Sequence, residues 1–324
     1  MGKIIGRLTS VGLGKESTRG TAVAPTIWVP VQAIDIDDKA EYIDNDSGFG
    51  NIAEFNDSDV NTVHAEGGYE GKVFDNASGL ELYAVFGQSP TSVQRAATGV
   101  YDHTFALLNG NQHGSLTVGY KDDLGSIRYE LAMVDEYTIE ATLDKYLTRK
   151  IKFQSKPSVT SSDTVSYTAG NEFLAKHLAV KLASAQGGLD AATAIKAMSF
   201  NFTVKKNLNI EYVFGSTAPD DIVNQQVNVD GEFELDRVDN TYRTRHLNGT
   251  KQALRLEAIN TGVTIGGVHN PAIRFDFPAV FTKEHERKWD ANAVLGQTVK
   301  FQANYDLTTA AIITARLTNT ATSY

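Results

Sequence analysis

Alternation of apolar and polar residues with period two governs this chain almost from end to end. Met198, Phe200, Phe202 and Val204 alternate with polar neighbours across 197–205. The same rhythm recurs at Val63–Phe74, Ser115–Tyr120, Ser126–Val134, Tyr137–Leu143, Leu147–Gln154, Val227–Val238, Ala253–Ile259, Ala272–Phe281, Gln297–Tyr305 and Ile312–Asn319. Residues i and i+2 share one face of a strand, so each run presents one face to a core and one to solvent. Ile27–Ile36 alternates with a one-residue slip, the sign of a bulge. His177–Ser184 and Leu208–Phe214 also read as strands, although the Ala and Lys content of the former would suit a helix. Helical spacing occurs twice. Asn76 can cap a short helix through Phe86, with Leu80, Tyr83 and Ala84 on one face and Gly87 as its stop; Asn240–Leu247 ends before Gly249. The expectation is a mainly β fold of the sandwich or barrel class.

Both helices follow similar strand ends. Gly67-Gly68-Tyr69-Glu70-Gly71-Lys72-Val73-Phe74-Asp75-Asn76 parallels Gly231-Glu232-Phe233-Glu234-Leu235-Asp236-Arg237-Val238-Asp239-Asn240, with Asp75 and Asp239 164 residues apart in a chain of 324. The spacing predicts two tandem modules, 27–155 and 173–324, each with a short flanking helix. An irregular Gly/Ser/Thr-rich arm (1–26) precedes them, and a Ser/Thr-rich linker with Pro157 and Gly170 (156–172) joins them. The polar, Asp/Asn-rich stretch 40–62 reads as a long loop, ordered by a neighbour in an assembly. Asp122–Gly125 and Asp144-Lys145 read as turns, and Thr217–Asn224 as a loop.

Composition narrows the function. The net charge of −9 argues against a protein that grips nucleic acid by neutralising phosphates. The absence of cysteine removes disulfides, thiolate metal sites and a Cys nucleophile. No apolar run is long enough to cross a bilayer as a helix, and Met1–Arg7 lacks the apolar centre of a signal peptide, so the expected product is soluble and stays in the cell that makes it.

The opening segment Gly14-Lys15-Glu16-Ser17-Thr18-Arg19-Gly20-Thr21-Ala22-Val23-Ala24-Pro25, followed by Ile27-Trp28-Val29-Pro30-Val31, resembles the start of bacteriophage tail tube (major tail) proteins. The closing runs Ile273–Val280 and Val299–Asp306 are similar to that family's last strands. The resemblance implies tail-tube-like β-sandwich modules whose copies form stacked rings around a DNA channel in the virion tail, assembled in the host bacterial cytoplasm. Two modules per chain favour homotrimeric, pseudo-hexameric rings; six chains per ring would be needed if only one module formed wall. It further implies tape measure and terminator proteins as partners, genomic DNA passing without specific binding, no membrane and no cofactor. The expected interaction segments are the arm Gly14–Pro25 and the loop Asp44–Asp59.

Candidate chemistry is sparse. Gly12-Leu13-Gly14-Lys15-Glu16-Ser17 approximates a phosphate loop, but Thr9 stands where its first Gly is needed and Glu16 where Ser or Thr must follow the Lys. Glu284, His285 and Glu286 could ligate a metal, yet Lys283, Arg287 and Lys288 interleave with them. Asp37-Asp38 and Asp44-Asn45-Asp46 lack the spacing of a calcium loop, and Asp220-Asp221 reads as a turn. Asn201-Phe202-Thr203 and Asn248-Gly249-Thr250 match the glycosylation pattern without a secretion signal beside it. Trp28 and Trp289 could stack on sugars, or fill a core or subunit interface. No catalytic, cofactor or metal residue is therefore assigned. The alternative to a tube protein is a carbohydrate- or receptor-binding β-sandwich of a virion; a hydrolase ranks last for want of converging acids.

Overall fold

The computed structural model describes residues 3–324. In chain order the strands are β1 (Ser10–Lys15), β2 (Ile27–Val29), β3 (Ala33–Ile34), β4 (Asp37–Asn45), β5 (Asp57–Lys72), β6 (Thr91–Gln94), β7 (Tyr101–Ala106), β8 (Leu116–Lys121), β9 (Ser126–Thr142), β10 (Thr148–Ser155), β11 (Val159–Ser161), β12 (Leu178–Ala183), β13 (Ala194–Ile195), β14 (Ala197–Lys205), β15 (Asn209–Glu211), β16 (Asp221–Val223), β17 (Asn228–Asp236), β18 (Gln252–Ile259), β19 (Ala272–Lys288), β20 (Gly296–Ala303) and β21 (Thr314–Asn319). The α-helices are α1 (Ser78–Phe86) and α2 (Thr241–Asn248). The fold is mainly β, as the alternation predicts, and its large antiparallel sheets do not close into a barrel.

A continuous wall runs β4-β5-β10-β9-β14-β17-β20-β19 through antiparallel pairs, with β3 beside β4 on the outer edge of β5. Two long strands leave this wall at one end and enter a second layer. The first half of β9 pairs with β8, which pairs with β1, which pairs with β2. The first half of β19 pairs with β18, then β12, then β13. Phe275 and Phe277 of β19 meet Phe202 of β14 at ring-centroid distances of 4.9 and 5.1 Å, within a hydrophobic core that also takes in Leu82 of α1 and Phe153 of β10.

The pairing order recurs between the halves, down to its irregularities. Gly67 lies opposite Phe153 and Gly231 opposite Phe301. The ladder skips one residue after Glu136↔Lys152 and again after Glu284↔Lys300. A second shift separates Ala132↔Leu116 from Tyr129↔Val118, and Val280↔Gln252 from Phe277↔Leu254.

Several readings need correction. Of the expected arm 1–26, residues 1–2 lie outside the described residues and the remainder is not irregular throughout, because Ser10–Lys15 is a buried strand between β2 and β8. Its glycines made it look like a loop. They are needed because Thr21–Thr26 packs over them: a Cβ on Gly12 would sit 2.6 Å from Pro25, and one on Gly14 2.8 Å from the Ala24 carbonyl. The stretch 40–62 is largely a hairpin of β4 and the first part of β5, exposed on both faces and therefore without alternation. Ser126–Val134 and Tyr137–Leu143 are one strand, interrupted by the ladder's skip at Asp135. Ala272–Phe281 extends to Lys288. The linker region contains β11, paired to β9.

The helices differ in their surroundings. Every residue of α1 is buried and none of α2 is. Asn76 does not cap α1; its side chain donates to the Thr168 carbonyl, while the Ser78 hydroxyl donates to the Phe74 carbonyl at 2.7 Å. Gly87 (φ +79°) and Gly249 (φ +59°) end the two helices in the left-handed conformation that glycine adopts at low cost. The buried Glu81 carboxylate of α1 accepts from Arg149 Nε of β10 at 2.5 Å and from the Tyr69 hydroxyl of β5 at 2.9 Å. Burial and the Glu81 charge push the Tyr69 phenol well above its ordinary range. Removing one partner of such a pair strands the other charge. Arg149→Met and Glu81→Gln should therefore each cost about 3–5 kcal/mol in urea unfolding, with the combined Glu81→Leu/Arg149→Met variant recovering much of the loss.

Candidate functional site

The outer face of the wall is an organised polar surface. Alternation places Asp230, Glu232, Glu234 and Asp236 of β17 on it, and register places Lys300 of β20 opposite Glu232. The face continues through Glu284 and Glu286 of β19, Glu136 and Glu140 of β9, Lys150 and Lys152 of β10, and Glu66 and Glu70 of β5. Carboxylates outnumber cations, and the cations are lysines. Cross-strand pairs hold the lysines: Lys152 to Glu136 at 2.8 Å, Lys300 to Glu284 at 2.8 Å and to Glu286 at 3.3 Å, and Lys288 to Glu234. Such exposed pairs contribute little stability, about 0–1 kcal/mol each. Their effect is to neutralise these lysines locally, leaving a surface whose sum is acidic and whose phosphate affinity is low.

A second surface is the β4–β5 hairpin. Tyr42, Ile43, Phe49, Ile52, Phe55 and Val60 all lie exposed on it, Ile52 fully. Apolar groups gathered on a projecting hairpin mark a contact surface more than a solvated loop. This covers the expected segment Asp44–Asp59.

The other expected segment, Gly14–Pro25, is latched to its own chain. The buried Glu16 carboxylate accepts from the Gly20 amide at 2.7 Å, the Leu131 amide at 2.9 Å, and the hydroxyls of Ser115 and Thr117. Arg19 pairs with Asp221 at 2.8 Å and donates to the carbonyls of His113 and Ile222, tying the beginning of the chain to its second half. Beside it, Lys206 donates to the Ala84 carbonyl at the end of α1, and burial pulls its ammonium down to about 7. The phosphate-loop resemblance dissolves here, since Gly12-Leu13-Gly14-Lys15 is strand β1.

The other candidates do not converge. Glu284 and Glu286 turn to the face of Lys300, whereas His285 turns to the opposite face and bonds Gln297 at 3.0 Å. Asp38 accepts from the Ser158 amide and hydroxyl, and Asp44 from the Ser58 hydroxyl. Among the described residues no group of three His, Asp or Glu side chains could hold a metal ion, and no helix is long and apolar enough to cross a membrane. Asn201 lies mid-strand on the wall and bonds Glu232 at 3.0 Å. Trp28 is buried in the core, while Trp289 stands 77% exposed just past β19.

A sequence model of the phage tail tube protein family matches residues 6–321. The chain belongs to that family. No curated protein matches it. It is a structural component of the virion tail, and the family supplies a structural role and not a catalytic one. In this tail tube protein the latched segment ties the beginning of the chain to its second half through Arg19, Asp221 and the Ile222 carbonyl.

The latch carries a pH signature. Burial first, and the Lys206 charge second, hold the His113 imidazole down to about 4, neutral and donating to the Leu108 carbonyl at 2.9 Å. Unfolding returns it to its ordinary value of 6.5, so the unfolded chain takes up the proton first as pH falls. Stability should drop by about 2–3 kcal/mol between pH 6.5 and pH 4 from this group alone. Urea midpoints of the wild type and His113→Asn at pH 7 and pH 4.5 should show a smaller pH difference in the variant.

Proposed function

We propose that copies of this chain join side by side into closed rings, that the rings stack into the tail tube, and that the acidic wall lines the channel through which genomic DNA passes. The observation that carries this reading is the wall's two-sided character. One face packs a hydrophobic core and the other is a continuous, lysine-neutralised acidic sheet. A lumen of that kind lets a phosphate backbone slide, because like charge opposes adsorption and no arginine clusters offer bidentate capture.

The repeated pairing order supports reading the chain as two tube modules, roughly 27–155 and 173–324 with 156–172 between them, and β1 counted with the first. Three chains then supply six modules per ring. The β4–β5 hairpin, too apolar for solvent and held at the wall's edge, would order against the next ring along the tail. Tape measure protein inside the tube and a terminator at its end are the further partners implied by membership of the family. The receptor-binding alternative has less to rest on, since Trp28 is buried and Trp289 stands alone.

Negative-stain electron microscopy of the purified protein should show rings or tubes of apparent six-fold symmetry, with a ring mass of three chains. A protein that stays strictly monomeric at high concentration would overturn the reading. Replacing 46–56 with a two-residue turn should leave rings intact and abolish their stacking into tubes, measured by the length distribution in the same images.

A further inference from the structure

We infer the residue-by-residue register of the contact between neighbouring copies. The outer edge of β3–β4 (Ala33–Lys39) in one copy pairs antiparallel with Glu284–Asp290 at the end of β19 in the next, with Lys39 opposite Glu284 and Asp35 opposite Lys288. This rests on the ring reading above and adds to it a specific seam.

The chain contains its own template. The wall's two halves meet where β14 pairs with the second part of β9: Lys205 opposite Glu136, Asn201 opposite Glu140, Phe200 opposite Ala141. The other edge of β14 pairs with β17, Thr203 facing Asp230 and Lys205 facing Asn228. In the first half, β4 occupies that same place against β5, Asp37 facing Glu66 and Lys39 facing His64. Gly67 and Gly231 anchor the equivalence through their matching partners Phe153 and Phe301. Lys39 thus stands where Lys205 stands. Likewise Glu284 stands where Glu136 does, each opposite a lysine of the neighbouring strand, Lys300 or Lys152, and each beside the ladder's one-residue skip.

Both halves of the missing seam are present and have no strand on the seam side among the described residues, with α2 lying beside β19 at Thr282, whose carbonyl is 3.1 Å from His246 Nδ1. β3 and β4 pair only with β5 among the described residues. An open groove of about 670 Å³ borders that edge, lined in part by Gln32, Ala33, Ile34 and Ile36. Beyond Val280, β19 keeps β20 on one side, but β18 has ended on the other, at Gln252. Unsatisfied strand edges of this kind recruit another strand.

Carrying the template across gives a consistent chemistry. Lys39 meets Glu284, Asp35 meets Lys288, and Ile34 meets the exposed Trp289. The one like-charged pair, Asp37 opposite Glu286, has Lys288 and Lys39 on its diagonals, within reach of long side chains. The seam explains why Trp289 stands out in solvent in a single copy.

The chain has no cysteine, so introduced cysteines report the register cleanly. Directly opposite residues have Cα atoms about 4.5–5.5 Å apart, within disulfide reach. Within one chain the two edges are separated by seven strand spacings, about 34 Å, so any bond must join copies. Asp37→Cys/Glu286→Cys and the adjacent pair Asp38→Cys/His285→Cys are each oxidised as purified full-length protein and run on non-reducing gels. Using adjacent pairs covers both pair geometries of an antiparallel ladder. The control Asp35→Cys/Glu284→Cys is displaced by four residues, about 13 Å. The expected result is a ladder ending at covalently closed trimers for at least one test pair and monomers for the control. Rings in the microscope with no cross-link, or with cross-linking of the control alone, would overturn the register while leaving the ring reading in place. Absence of both rings and cross-links would overturn both.

Discussion

Backbone hydrogen bonding along β9 is the constraint on which the rest of the structure depends. Its seventeen residues are paired on both edges over most of their length, with β8 and β14 along one edge and β11 and β10 along the other. Through β8 it holds the second layer of the first half, and through β14 it holds the whole second half. A strand with two edges in use cannot slide by one residue without turning Tyr137, Ile139 and Ala141 out of the core. The skip at Asp135 is what lets a single strand serve two layers, because a bulge increases twist and redirects the ladder. β19 is built to the same length and with the same skip, but half of one edge is left open. The first half of this chain is complete because the second half finishes it, and the second half has no such neighbour within the chain.

That difference explains the unequal helices. The segment of α1, SGLELYAVF, is apolar enough to be enclosed, and β7, β21 and the C-terminal Tyr324 close over it. The single charge it brings inside, Glu81, is answered by Arg149 and Tyr69, so a carboxylate that burial alone would expel is kept with partners. The corresponding sites of the second half are Phe233 for Tyr69 and Gln297 for Arg149. There α2, TYRTRHLN, carries arginines in solvent, with Tyr242 alone of its rings edge-on to Phe233 at 5.6 Å. A buried ion pair and an exposed basic helix are thus two endings of one strand-to-helix plan, chosen by what covers the helix.

Much of the fold was legible because its strands have one wet and one dry face. The run 197–205 coincides with β14, and the strands at 253–259, 297–305 and 312–319 differ from the structure by a few residues at their ends. Alternation fails as a signal when both faces are buried, as in β1, or when both are exposed, as in β4. It also fails at bulges, where one strand reads as two. The acids of the wall were visible as alternating positions, Glu232 and Glu234 among them. Their membership of one common face was not, since that depends on which strands are neighbours and in what register. The exposed apolar hairpin reads in sequence as a polar loop because its Asp and Asn residues outnumber Tyr42, Phe49 and Phe55.

The placement of charge on the wall follows from the same pairing. A sheet of unrelieved carboxylates would repel itself across each strand spacing of about 4.8 Å. Lysines opposite glutamates relieve that repulsion locally while leaving the sum acidic. Lysine suits this use better than arginine, for its ammonium holds a phosphate as a point charge, without the planar fork that would bind it at two oxygens. Cross-strand register therefore has two effects on this surface: it keeps neighbouring strands in step, and it decides which lysines lie paired with a carboxylate.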